Sequence, residues 1–411
     1  MTLLTSRINR VFIFLFVAFL VVFPKGGFKL GNIPITWGYV LLGVFFGIGI
    51  IHILASKIIR INKNRFMIYV ATLPFQFISL ITVLLYGYTD LGLTISLFIT
   101  FSFLPILFIH IIGFYIDRIN LEYLLKLIKS AVLLVSVYGV ILFFYKLITG
   151  EFIEIPYLTI NAGDLGELDE KHIDRGGVFK LISTYNNGNI YAVSILMLIP
   201  LYYYLEKNFI KRSMVNLSII LTLSRTAWLG LVLFHVFNTI FIQKKTFKNI
   251  LKSFILFLLI LFGVIWALNM MGLNSKFIFD SQLGGRSEQL SYFDNFSLFP
   301  NGEFGGIGEI VYASILNNFG LIGLFLFLLS MCYFIYLIIT KRIKSYNTEY
   351  KKSIVLGLVL YLILSMSDGA ILLIPVMVFY WFLLTLLVSN NESFNVEEKR
   401  KKRRLFPKIT L

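Results

Sequence analysis

Four places in the sequence carry residue types that could do chemistry. Arg225, in LTLSRTAWLG, stands between two apolar runs at a break where the chain would turn back. An arginine at membrane depth costs about 2.5–3.5 kcal/mol or more at the bilayer centre, so such a position implies either an anionic partner or a side chain snorkelling to lipid phosphate. Arg286 follows two glycines in LGGRSEQL, where the absence of Cβ atoms lets backbone approach a ligand closely. If Ser287 opens a short helix, its amides add anion affinity. Glu309 closes the GGIGE stretch before an apolar run that holds Tyr312. As a first-turn acid it would gain from the helix dipole; as a base it could accept a proton. Asn187 and Asn189 lie in STYNNGN at the entry to another apolar run, where helix capping competes with ligand binding. His52, His110 and His235 have no partner at helical spacing and read as packing residues rather than metal ligands.

The elements that must position these residues are membrane helices. Of the 411 residues 58% are hydrophobic and 14% charged, and mean hydropathy is +0.85, far from the roughly 45–50% and 25% of soluble domains. The apolar residues fall in blocks of bilayer-spanning length, and inside lipid every backbone polar group must be paired within its segment. The expected fold is therefore all-α, a polytopic bundle of about twelve transmembrane helices occupying 1–388. The spans are drawn at 11–23, 34–55, 67–88, 91–113, 130–149, 188–205, 214–224, 226–242, 250–270, 310–339, 352–366 and 370–388. Two connections, 150–187 and 271–308, are too long to be turns, and the second is expected to be ordered, with a short helix between Ser287 and Phe296. A basic tail, 389–411, follows the last span.

Charge gives this map an orientation. With the N-terminus on the cytoplasmic side, 28 of the 37 Lys and Arg residues fall on cytoplasmic segments, and 14 of the 21 acids fall outside. That is the positive-inside pattern. It also accounts for the net charge of +16 without nucleic acid, for which no binding domain remains once the spans are removed. Both termini are thus expected in the cytoplasm, and the tail KRKKRR, Lys399 to Arg404, is placed to touch anionic membrane lipids. Cys332, the single cysteine, forms no intrachain disulfide.

Taken in order, STYNNGN, SRTAWLG, GGR and GLIGL (Gly320 to Leu324) over residues 183–330 resemble the O-antigen polymerase and ligase superfamily of bacterial surface-polysaccharide assembly. The resemblance implies a GT-C-like bundle in the bacterial cytoplasmic membrane with a large outer loop. It implies donor and acceptor glycans linked to undecaprenyl pyrophosphate, and a chain-length regulator as a further partner. The family's two functional arginines fall on Arg225 and Arg286. Where the ligase branch carries a His-Asn pair, this chain has Glu309 and Ile310, which favours polymerase over ligase. Chemically, transfer from a lipid pyrophosphate needs the leaving charge stabilised and the acceptor hydroxyl deprotonated. Arginine suits the first task and a carboxylate the second. On this reading Arg225, Arg286 and Glu309 are catalytic, and Asn187, Asn189 and Tyr312 join the two arginines in binding substrate. With no Asp-x-Asp and no calcium-loop spacing in the acidic loop, neither metal nor cofactor is expected. Ligase-type transfer to a terminal acceptor, a polysaccharide transporter or flippase, and a non-catalytic scaffold are the competing readings; against a transporter stand the missing internal repeat and the placing of most acids outside.

Overall fold

A computed structural model describes residues 2–30, 33–55, 62–166, 174–175, 178–242, 286–294, 296–343, 346 and 348–389, with scattered positions at 168 and between 251 and 266. The fold is an all-α bundle with two short hairpins. Helix α1, Thr2–Val17, winds on to Val22; a two-stranded antiparallel hairpin follows, β1 Gly27–Leu30 and β2 Ile33–Thr36. Then come α2 Trp37–Ala55, α3 Lys63–Tyr86, α4 Leu91–Ile116, α5 Leu121–Thr149, the small hairpin β3 Asp174–Arg175 and β4 Val178–Phe179, α6 Gly188–Leu205, α7 Phe209–Ile220 and α8 Arg225–Ile242. After the second long connection, which holds the one-turn helix α9 Ser287–Leu290, come α10 Val311–Ile339, α11 Glu349–Leu364 and α12 Ile374–Leu387. Among the described residues six helices are long and apolar enough to cross a membrane: α3, α4, α5, α6, α8 and α10. Most of the expected span 250–270 and the tail from 390 onward lie outside the described residues.

Local sequence explains where the helices start. Asn62, Asp90, Asn120, Asn187, Asn208 and Thr348 each accept a hydrogen bond from a backbone amide of the turn they precede, satisfying donors that a helix start leaves open. The core is built from α6, α11 and α12, whose described residues are buried almost all round, including Tyr191, Tyr361, Tyr380 and Trp381. A helix apolar all round belongs inside a bundle.

The contacts between connecting segments sort into two ends. At one end Lys29 pairs with Asp164, Trp37 Nε1 donates to the Tyr157 carbonyl at 2.8 Å, Thr89 N donates to the Phe304 carbonyl at 3.1 Å, and Leu181 N to the Leu221 carbonyl at 3.0 Å. At the other, Arg65 pairs with Asp117 at 2.8 Å, Asn64 Nδ2 donates to the Arg342 carbonyl at 2.9 Å, Asn62 Nδ2 to the Val388 carbonyl at 3.4 Å, and Lys129 meets Glu206 at 3.4 Å. The segments that meet at each end are those that alternate along the sequence map. The first is the acidic-loop end of the bundle and the second the basic end.

One expected span is not a single helix. Gly320 has φ 68° and ψ −176°, which splits α10 into 311–319 and 321–339. In a straight helix Tyr312 and Phe327 would be about 22 Å apart. Their rings are 6.1 Å apart, so the first half folds back along the second. The amides freed by the break are not orphaned: Leu321 N donates to the Ser297 carbonyl at 2.9 Å and Ile322 N to the Leu298 carbonyl at 3.2 Å. Only glycine fits, because a Cβ at 320 would stand 2.8 Å from the Leu298 carbonyl oxygen.

The helices also differ in reach. α3 has 24 residues and α12 has 14, and their basic ends meet at Asn62 and Val388. At 1.5 Å per residue α12 stops about 15 Å short of the far end of α3. The connection between α11 and α12 is therefore set back from that end, and Asp368 within it is buried.

Candidate functional site

The Arg225 turn is built from the residues just before it. α7 ends at Ile220, Leu223 adopts a left-handed backbone at φ 52°, and Ser224 caps α8 through the Ala227 amide at 3.4 Å. Trp228 Nε1 reaches back to the Ile220 carbonyl at 2.9 Å, which braces the corner. His235 and Asn216 are nineteen residues apart yet 3.2 Å from each other, which is possible only if the chain reverses between them. α7 and α8 are thus two separate elements, as the charge alternation requires. Arg225 is the first residue of α8, half-buried at this reversal. Beside it, the Thr226 hydroxyl bonds the Ser367 hydroxyl at 2.9 Å, tying the Arg225 corner to the set-back connection between α11 and α12.

Arg286 is buried and holds two carboxylates. Its Nε donates to Glu309 and its Nη2 donates to Asp368 Oδ2 at 3.0 Å. The Arg286 side chain is 10% exposed, Asp368 4% and Glu309 46%, so one carboxylate is dry and the other faces outward. The backbone around Glu309 is fixed from both sides. Gln289 Oε1 accepts the Ile310 amide at 2.8 Å, the Glu309 carbonyl accepts the Gly369 amide at 3.1 Å, and Val311 N donates to the Ser365 carbonyl at 3.1 Å. The one-turn helix after Arg286 lies within the expected stretch, and Gln289 on it makes the link to Ile310. The two glycines before Arg286, Gly284 and Gly285, lie outside the described residues. Glu309 is not a first-turn acid. It precedes α10, and its carboxylate goes to Arg286 rather than to the helix start.

The other expected residues serve local structure to different degrees. Asn187 caps α6, accepting from the Asn189 and Ile190 amides at 2.9 and 3.2 Å. The Tyr312 hydroxyl donates to the Leu362 carbonyl at 2.6 Å. Asn189 differs: its Oδ1 is buried with no hydrogen-bond partner, as is the Thr184 hydroxyl in the short turn before α6. Among the described residues, four of the six non-glycine positions at positive φ border these segments: Ser183, Asn186, Leu223 and Ala370. Such positions cost about 1–3 kcal/mol each and persist where packing over-determines them. His110 packs edge-on to Tyr69, and His235 packs against Tyr203 and Phe234. No trio of His, Cys, Asp or Glu among the described residues is placed to share a metal ion.

The structure thus brings Arg286, Glu309 and the Arg225 corner to one end, and adds a residue that sequence reasoning passed over, Asp368. The signal was available: SMSDGA puts a carboxylate in a very short connection between two apolar runs, where ionisation is costly for the same reason as at Arg225. A search of protein-family models, curated proteins and solved structures finds no match to this chain.

Proposed function

We propose that this chain polymerises lipid-linked oligosaccharide repeat units on the outer side of the bacterial cytoplasmic membrane, moving the growing glycan from undecaprenyl pyrophosphate to a hydroxyl of the next lipid-linked unit. The observation that carries the reading is the buried Arg286 held between Glu309 and Asp368, with Ser367, the residue before Asp368, hydrogen-bonded to Thr226 at the Arg225 corner. A buried site set back from the acidic-loop end suits a substrate whose lipid tail lies in the bilayer and whose glycan lies outside.

In the reaction the acceptor oxygen bonds to the donor's anomeric carbon as the bond from that carbon to the pyrophosphate oxygen breaks. The electron pair leaves with the pyrophosphate, and the hydroxyl proton must go to a base. Arg225 and Arg286 offer planar, permanently charged donors to the leaving pyrophosphate. Glu309 is the exposed carboxylate within reach of Arg286 and takes the proton, while Asp368 positions the guanidinium. Asn189 offers an unspent buried carbonyl to a sugar hydroxyl.

The test is a transfer assay with purified protein and lipid-linked repeat units from the cell of origin. Products of increasing glycan length, with undecaprenyl pyrophosphate released, support the reading. Transfer only to a terminal acceptor would make the chain a ligase, and movement of intact substrate across vesicles without bond formation would make it a transporter. Either result overturns the proposal.

A further inference from the structure

The two carboxylates on Arg286 are not equivalent, and the difference assigns them separate work. Asp368 is nearly dry, and separating a buried cation from such a partner leaves an uncompensated charge in low dielectric. Glu309 is about half exposed, where solvent screening makes an ion pair weak. An anion arriving at Arg286 therefore displaces Glu309 and leaves Asp368 in place. The main chain need not move for this: the Gln289–Ile310 and Glu309–Gly369 hydrogen bonds hold the backbone on both sides, so a change of side-chain rotamer suffices.

We propose that the donor's pyrophosphate and the Glu309 carboxylate compete for Arg286, with Asp368 as the positioning residue that keeps the guanidinium in place through the exchange. This rests on the polymerase reading and orders its steps. Before the donor binds, Glu309 is committed to an ion pair. Once pyrophosphate takes its place, the carboxylate is released beside the bond about to break. It then accepts the acceptor's proton as the new glycosidic bond forms and the pyrophosphate departs with its electron pair. After the lipid pyrophosphate leaves, the proton passes to water and the ion pair closes again.

The experiment measures binding of undecaprenyl pyrophosphate, without sugar, to the full chain in lipid nanodiscs. Wild type is compared with Glu309→Gln and Asp368→Asn, and folding is checked by gel filtration and thermal unfolding. Glu309→Gln removes the competing charge and should bind about two- to fivefold tighter, in keeping with the small worth of a half-exposed pair, yet transfer more slowly. Asp368→Asn loosens the anchor and should bind about tenfold weaker or worse. A purely structural role for both residues would not move affinity in opposite directions. Equal or weaker binding by Glu309→Gln overturns the exchange, and unchanged binding by folded Asp368→Asn overturns the positioning role. If Asp368→Asn does not fold, Asp368→Glu keeps the charge and shifts it by one methylene; a folded Asp368→Glu with wild-type affinity overturns the positioning role equally. Absence of binding by wild type would instead defeat the polymerase reading itself.

Discussion

Asp368 holds Arg286 at 3.0 Å across 82 residues of chain, and it is the drier of the two carboxylates on that guanidinium. Removing it should therefore be felt as instability as well as lost activity. Asp368→Ala leaves a buried cation with only a half-exposed partner, a change that typically costs about 3–5 kcal/mol. The expected result is a clearly lowered thermal midpoint in detergent, with Glu309→Ala lowering it much less. Equal shifts for the two variants would contradict the division into an anchoring and an exchangeable carboxylate.

The arginines should fail selectively. Arg225→Ala and Arg286→Ala are expected to insert in the membrane yet make no long-chain polymer. Lysine should rescue each poorly, because an ammonium cannot reproduce the planar two-pronged contact with phosphate oxygens. Polymer length on gels, in a deletion strain expressing each variant at normal level, is the measurement. Full-length polymer from either alanine variant would remove that arginine from the site.

Gly320 should tolerate no side chain. Alanine there meets both a left-handed φ and a carbonyl oxygen at 2.8 Å, so Gly320→Ala is expected to cost about 3 kcal/mol or more and to lower the yield of folded protein. Gly302→Ala is the comparison, in the loop that leads to α10: nothing lies within 4 Å of the added methyl and φ is not left-handed, so the loss should be smaller. The ranking of thermal midpoints decides.

Topology can be read with reporter fusions. Fusions after Asp164 and Gly302 belong to the acidic-loop end and should report the outer side; fusions after Asn208 and Arg342 belong to the basic end and should report the cytoplasm. A cytoplasmic signal at Gly302 would place the Arg286 site on the wrong face for an outer-leaflet donor.

At the basic end, Glu206 gives a pH signature. Its carboxylate accepts the Asn208 and Lys207 amides at 3.0 and 2.9 Å and lies 3.4 Å from Lys129. Chiefly the Asn208 amide, with help from Lys129 and against the opposing effect of burial, holds its pKa below the ordinary carboxylate value. A folded-state value below the unfolded one contributes stability above the unfolded pKa and loses it as pH falls through the folded value. The gap in thermal midpoint between wild type and Glu206→Gln should thus be present at neutral pH and narrow as pH falls below the ordinary carboxylate range. A gap that persists there would assign the effect to packing.

What the sequence made legible follows from what lipid enforces. Apolar blocks had to be helices, and the alternation of basic and acidic connections anticipated which segments meet, down to Asn62 with Val388 and Asp164 with Lys29. Arg225 was visible because charge between apolar runs is costly. Asp368 obeys the same rule but sits in a connection so short that it passes for a turn. The break at Gly320 was hidden more thoroughly. Its flanks, Phe319 and Leu321, are apolar, so hydropathy runs straight through a point where the chain doubles back, and the acceptors that make the break affordable, the Ser297 and Leu298 carbonyls, come from a distant loop. Glu309 was found by position; of its two readings the first-turn acid falls, because its carboxylate goes to Arg286, which nothing local in the sequence announces.

The fold-back at Gly320 bears on how the molecule is made. Chains are synthesised from the N-terminus, so the loop that supplies Ser297 and Leu298 emerges before the amides of Leu321 and Ile322 that it must meet. The 321–339 half can enter the membrane as an ordinary helix, but 311–319 reaches its place only after the chain reverses against it. Asp368 arrives later still. A nascent chain halted before α11 holds Arg286 without its dry partner, so the Arg286–Asp368 pair cannot close until the chain through α11 has been made.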